Sequence, residues 1–378
     1  MGSETKGSLL SQELARESGA DMQIPALFGE LRAVIAETLP GSGSFADPAD
    51  LVQLADKLAQ DFDKDYQRVA AFTDLLFGSD IETFGERTTA LFTQWEEEGG
   101  GPSLPAMVAH AIEQFGLDTK DPCVRAAFVS AILAEYPNSL QYHGNEHYRK
   151  VLFHGIRIIS THNGMFKDTN RAINPDQIAV LLVASCIHDL GHEGGDNLRD
   201  GVYTPGQMEQ YALDLARPYF EALGVPGEQI SDIETIVFCT DITFFAGDNS
   251  PCIRMKKIYK HYFWDFDRED VSMMMMGKLR RYEDNPRLVL MAMILHEADV
   301  ATSAGVSYEQ TVKETVNIME ERGVTTAGPK TVLAFLREQL GETMFTEASK
   351  QLYGKVMAQV IKQAEADIER GRATFYED

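Results

Sequence analysis

No stretch of this 378-residue sequence gathers five or more lysines and arginines, and over the whole chain 34 basic residues stand against 58 acidic ones, a formal net charge of -24. Such a chain repels phosphate backbones and anionic lipid surfaces, which excludes a nucleic-acid polymer and a membrane as expected partners. A small phosphate-bearing substrate would need metal ions to offset the charge. Cysteine is scarce, and Cys123, Cys186, Cys239 and Cys252 form neither a CxxC nor a paired spacing. They read as reduced core thiols of a cytoplasmic protein, not as a disulfide framework. No apolar run reaches the length of a bilayer span, so no transmembrane helix is expected. The opening MGSETKGSLL lacks a basic segment followed by an apolar one, and Lys6 stands where a myristoylation signal needs Ser or Thr. Neither secretion nor an acyl anchor is expected. There is no GxSxG elbow, no cysteine set as a nucleophile, and almost no strand-like alternation with hairpin turns.

What the chain does have is helical periodicity. Residues 1–22 are polar and predict a flexible tail, whereas Leu27, Leu31, Val34 and Ile35, then Leu51, Leu54 and Leu58, recur at helical spacing. The segment EEEGGGPSLP at 96–105 reads as a linker, dividing a helical N-terminal region at 23–100 from a larger domain at 106–378. Helices are predicted there at 126–135, 147–160, 178–186, 205–223, 230–239, 278–281, 288–298, 308–322 and 331–370. An all-α, compact multi-helix fold follows. The methionine run 273–276 reads as core filler.

The stretch IAVLLVASCIHDLGHEGGDN, 178–197, concentrates the chemistry. A buried apolar helix that runs into His188 and Asp189 must compensate a buried carboxylate, and a divalent cation does so most strongly. His192 follows one helical turn later. The apolar run LVLMAMIL at 288–295 likewise leads into His296, Glu297 and Asp299. In YHGNEH, His143 and His147 are four apart, which on a helix puts both on one face. His147, His188, Asp189 and Asp299 together would hold one cation with positions left for water. His110, His154, His162 and His261 lack an acidic partner at ligand spacing and read as core or surface histidines.

In their order and approximate spacing, YHGNEH, IHDLGHEGG, a CTD segment and LHEAD resemble class I cyclic nucleotide phosphodiesterases, members of the all-helical HD phosphohydrolase group, over roughly residues 120–340. The resemblance implies a phosphodiester hydrolase acting on a small-molecule phosphoester such as a cyclic nucleotide. It also implies a dinuclear centre, with Zn2+ at the tighter site and Mg2+ or Mn2+ at the second. His143 then matches the general acid, and His147, His188, Asp189 and Asp299 match the metal ligands, with Asp189 bridging the two ions. His192 and Glu209 match groups that orient metal-bound solvent, and Asp241 matches the aspartate of the threonine-aspartate segment. A homodimer is compatible with the resemblance.

Two departures bear on specificity. Glu193 and Gly194 follow His192 where the family has proline-glycine. If Phe335 is the ring that clamps the purine, Val332 stands where the family has glutamine, and Gln339 supplies the amide only in a shifted register. Weak discrimination between cyclic AMP and cyclic GMP, or another phosphoester, is then expected. The remaining readings are an HD-type hydrolase of another nucleotide or phosphate ester, which the missing GYP tripeptide steers away from cyclic dinucleotides, and an inactive binding module of the same fold.

Overall fold

Proline and short polar residues set the starts of the helices. Asp47, Asp121, Asn174 and Asn285 each precede a proline and accept hydrogen bonds from first-turn amides, for example Asp121 Oδ1 from the Cys123 and Val124 N–H groups at 2.8 and 3.1 Å. Proline fits this first turn because its missing N–H would be unpaired there anyway, and each such cap stabilises its helix by about 1 kcal/mol. In the computed structural model, which describes residues 24–38, 46–264 and 271–376, the α-helices in chain order are α1 (Ile24–Glu37), α2 (Pro48–Ala70), α3 (Thr73–Phe77), α4 (Phe84–Glu97), α5 (Leu104–Phe115), α6 (Pro122–Ala134), α7 (Asn145–Met165), α8 (Pro175–Ile187), α9 (Gln207–Ala222), α10 (Gly227–Phe238), α11 (Pro251–Phe263), α12 (Pro286–Gly305), α13 (Tyr308–Glu321), α14 (Pro329–Ala334) and α15 (Glu347–Glu369). The strands among the described residues form one hairpin, Leu198–Arg199 paired with Val202–Tyr203. The fold is all-α, as the periodicity predicts. The tail expected at 1–22 lies outside the described residues.

Three of these helices form the frame. α7, α8 and α12 pack against one another, and α6, α11 and α15 cover them. α8 is buried from Ile178 to Ile187, and α12 is buried along nearly its whole length. α12 is long and apolar enough to cross a membrane by composition, yet 94% of its apolar window lies inside the protein. It is the central core helix. Each leucine or isoleucine it buries contributes about 1.5–3 kcal/mol.

The expected boundary at 96–105 coincides with the turn between α4 and α5, and the helices on its two sides share one hydrophobic core. Phe28 of α1 meets Phe128 of α6 edge to face at 5.0 Å. Arg157 of α7, 1% exposed, donates to the carbonyl oxygens of Gly78 and Asp80 in the α3–α4 connection.

Other expectations need correction. Residues 331–370 do not form one helix: a π-helical turn at Phe335–Gln339 and positive φ at Gly341 and Glu342 break it. α11 was not anticipated from the periodicity, although Ser250-Pro251 is an N-terminal signal. Of the methionine run, Met274 and Met275 pack on the core, but Met273 and Met276 are exposed at 68% and 54%. All four cysteines are buried and free.

His154 is a satisfied core histidine, with Tyr353 Oη and Thr302 Oγ1 each 3.0 Å from its ring nitrogens. Burial pushes its pKa down to about 3, helped by Lys150. The unfolded chain therefore takes up a proton near pH 6.5 that the folded protein refuses. The stability that the neutral ring contributes is fully present above pH 6.5 and declines as pH falls toward 3, by about 2 kcal/mol between pH 6.5 and 5. Urea denaturation of His154→Gln should show a correspondingly flatter fall in stability over that interval. A slope equal to that of the wild type would remove His154 as its source.

Candidate metal and acid–base site

The site is built where the three frame helices meet. His147 lies in the first turns of α7, and His188 and Asp189 leave the end of α8. Asp299 lies in the middle of α12, not at a helix end, because α12 continues to Gly305. The tight turn after Asp189 passes through Gly191 at φ 74, where a β-carbon would also meet Leu215 at 2.5 Å. Glycine is the residue that takes this conformation without strain.

Four donor groups converge. His147 Nε2 lies 3.3 Å from Asp189 Oδ2 and 3.1 Å from Asp299 Oδ1. His188 Nε2 lies 3.2 Å from Asp189 Oδ2, 3.8 Å from Asp299 Oδ1 and 3.3 Å from His147 Nε2. Donor atoms of His147, His188 and Asp189 all fall within 4.8 Å of one another. Ligands about 2.1 Å from a divalent cation stand roughly 3.0–3.4 Å apart, so these separations suit a shared cation. The tautomer suits it too. The Nδ1–H of His188 can donate to the Ser185 carbonyl at 3.1 Å, leaving the Nε2 lone pair facing the cluster.

The electrostatics carry the same sign. Burial alone would lower the pKa values of both imidazoles, but Asp189 and Asp299 raise His147 and His188 instead. Burial would raise Asp189, yet the two imidazoles hold it well below the usual carboxylate range. The carboxylates thus draw protons into the cluster, and a divalent cation meets the same demand with more charge.

His143 is placed differently from expectation. α7 begins at Asn145, so His143 sits in the preceding turn and not on a common helix face with His147, and their rings are 5.8 Å apart. Its Nδ1 lies 2.5 Å from Glu321 Oε1, and the backbone amides of Tyr142 and His143 donate to Glu321 Oε2 at 3.0 and 3.1 Å. Burial would raise Glu321, but the bond to His143 outweighs it and brings the carboxyl down to about 2. His192 stacks on His143 with centroids 3.9 Å apart, and its Nδ1 accepts from the Gly194 N–H at 3.0 Å. Burial and the neighbouring His143 push His192 down to about 4, so it is neutral, with its hydrogen on Nε2. Asn138 Nδ2 donates to the carbonyls of both His143 and His192, at 3.0 and 3.2 Å, clamping the two turns together. Sequence reasoning missed Glu321 and Asn138.

Two cavities open on these groups. One, of about 720 Å³, runs past His188, Asp189 and His192 to Gln207 and Tyr211. The other, of about 370 Å³, is lined by Tyr142, His143, Asp299, Ile318, Phe335 and Gln339 among others. Glu209 borders it and accepts from Asn197 Nδ2 at 3.0 Å, and burial together with Asp241 raises its pKa well above normal. Asp241 also borders it, but its oxygens already accept from Tyr203 Oη, the Gly206 N–H and the Thr243 N–H at 2.7, 2.9 and 3.0 Å.

Val332 does not reach the cavity. It is fully buried and absent from the wall, which Thr331, Ala334, Phe335, Glu338 and Gln339 line. Gln339 Oε1 is buried without a hydrogen-bond partner.

No family model matches the sequence, and no curated protein matches it either. Among solved structures, the chain is similar to the phosphodiesterase domain of the RhoPDE fusion protein from the choanoflagellate Salpingoeca rosetta, with 14% sequence identity and a TM-score of 0.48, over 81% of this chain and 99% of that one.

Proposed function

We propose that the protein is a metal-dependent phosphodiester hydrolase whose substrate is a small phosphoester, a 3′,5′-cyclic nucleotide in the first place. The observation that carries this reading is the convergence of two imidazoles and two carboxylates beside a histidine whose orientation is fixed by a buried carboxylate. His147, His188, Asp189 and Asp299 would hold the tighter ion, suited to Zn2+ by its nitrogen and oxygen donors. Asp189 Oδ2 faces both imidazoles, which leaves Oδ1 for a second ion, Mg2+ or Mn2+. When bound, such ions supply Lewis acidity toward the phosphoryl oxygens and lower the pKa of coordinated water.

The chain's own residues do the rest. Glu321 takes the Nδ1–H of His143, so the proton that His143 delivers to the leaving oxygen sits on Nε2. His192, whose pKa burial and His143 lower to about 4, and Glu209, whose carboxyl burial and Asp241 push well above the usual range, would orient solvent. Phe335 offers a ring face to a base, and Gln339 offers an amide whose oxygen has no partner among the described residues. An amide can pair with the edge of a purine. Gln339→Ala is accordingly expected to raise KM for a cyclic purine nucleotide about tenfold or more, while an aryl phosphodiester lacking a base is unaffected. Equal effects on both substrates would assign Gln339 to wall packing.

Metal analysis of protein purified without added metal, followed by a screen of phosphate esters with Zn2+, Mg2+ and Mn2+, tests the function as a whole. The expected result is bound metal and turnover of cyclic nucleotides. Turnover of other phosphate esters only would leave an HD-type hydrolase of another substrate. Bound metal with no turnover of any ester would make the chain a binding module.

A further inference from the structure

Positive charge is nearly missing where the proposed substrate would bind. The walls of the two cavities carry Asp189, Glu193, Asp196, Asp241, Asp299 and Glu338, and Arg322 is the one lysine or arginine among their described lining residues. Arg322 borders both cavities, at their junction with Asp189 and His192. Its guanidinium makes no hydrogen bond or ion pair with a described residue. Arg149, Arg281 and Arg337, by contrast, are each paired with carboxylates.

Local structure fixes this position. α13 ends at Glu321, and Arg322 is its cap, at φ -82 and ψ 2. Gly323 then takes φ 70, with Gly323 N–H bonded to the Glu320 carbonyl at 2.9 Å and Val324 N–H to the Met319 carbonyl at 2.7 Å. This glycine-terminated turn closes the helix at one defined residue. The residue before the cap is Glu321, which grips the amides of Tyr142 and His143 and the His143 ring. A single helix end therefore orients the acid histidine and presents an exposed guanidinium to the cavity that this histidine also lines. Arg322 is exposed, so water solvates its guanidinium, and it is the one cation on the described walls of two otherwise acidic cavities; a guanidinium matches the paired oxygens of a phosphate group.

We propose that Arg322 binds the charged phosphoryl oxygens of the incoming phosphoester, so that the protein selects substrates that stay anionic in the site over neutral phosphotriesters. This rests on the phosphohydrolase reading.

The test uses the full-length, metal-loaded protein with bis(p-nitrophenyl) phosphate as an anionic diester and inorganic phosphate as a ligand that needs no turnover. Arg322→Gln should raise KM about tenfold, with kcat falling far less than KM rises, and should make kcat/KM rise more steeply with ionic strength, because salt then screens acidic walls that no cation offsets. Arg322→Lys should recover part of the affinity, and metal content should match the wild type in both. Inorganic phosphate should raise the Tm of the wild type and do so much less in Arg322→Gln. Unchanged KM, salt dependence and phosphate stabilisation would overturn the assignment. If the wild type hydrolyses no phosphoester but its phosphate stabilisation depends on Arg322, the anion site stands and the hydrolase reading falls. If phosphate stabilises wild type and variant alike, the anion binds elsewhere and Arg322 has no such role.

Discussion

Replacing Asp299 with alanine is expected to strip the protein of its tightly held cation and to lower phosphoester turnover by about a thousandfold or more, which corresponds to roughly 4 kcal/mol of lost transition-state stabilisation. Asp299 is the proposed ligand on the central helix, with Oδ1 3.1 Å from His147 Nε2. The fold should survive. In the metal-free protein, Asp299 is one of two carboxylates crowded on a pair of buried imidazoles, and the substitution leaves the apolar faces of α12 untouched. Metal content by elemental analysis, the Tm of the metal-free protein and steady-state kinetics separate the possible causes. Retention of a full equivalent of metal with near-normal turnover would show that His147, His188 and Asp189 suffice and that Asp299 has another task.

His143→Gln should act on a different step. Turnover of a diester with a poor leaving group is expected to drop about a hundredfold, the usual scale of general acid catalysis, whereas an activated aryl diester needs little protonation and should lose much less. Metal content should not change, because His143 faces Glu321 and not the cation cluster. Loss of metal along with activity would instead make His143 a ligand. Glu321→Gln provides a graded version of the same experiment. It keeps the shape but removes the carboxylate that takes the Nδ1–H, so the same leaving-group dependence should appear at smaller amplitude.

Much of the fold was legible because long apolar helices write their period into the sequence. The 178–186 and 288–298 helices were anticipated, and the three-helix frame follows from burying them together. Their convergence brings His147, His188, Asp189 and Asp299 within the distances given above. What the sequence hid is what depends on side-chain direction or distant pairing. Of the row His296, Glu297 and Asp299, it is Asp299, the residue chosen from the sequence, that faces the cluster, while the directions of the other two were not legible. His296 packs beside Cys252 Sγ, and Glu297 accepts from the Thr346 amide and hydroxyl. Glu321 pairs with a residue 178 positions away, and nothing in NIMEERG distinguishes it from Glu320. Val332, three residues before Phe335, is fully buried and does not join the cavity wall that Phe335 lines, a difference that spacing along the sequence does not reveal.

Arg157 has a bearing on what the glycine-rich turn after α4 can be. The buried guanidinium, stacked 5.1 Å from the ring of Phe84, takes its hydrogen-bond acceptors from the backbone between α3 and α4. Those carbonyls stand in for the water it gave up. Without the helices that precede residue 100, that guanidinium would lose the Gly78 and Asp80 carbonyls and the ring of Phe84 together, and the faces of the remaining helices that pack on them would meet water. The turn is a bend within one shared hydrophobic core, and the helices before it cover part of the helix that carries His147.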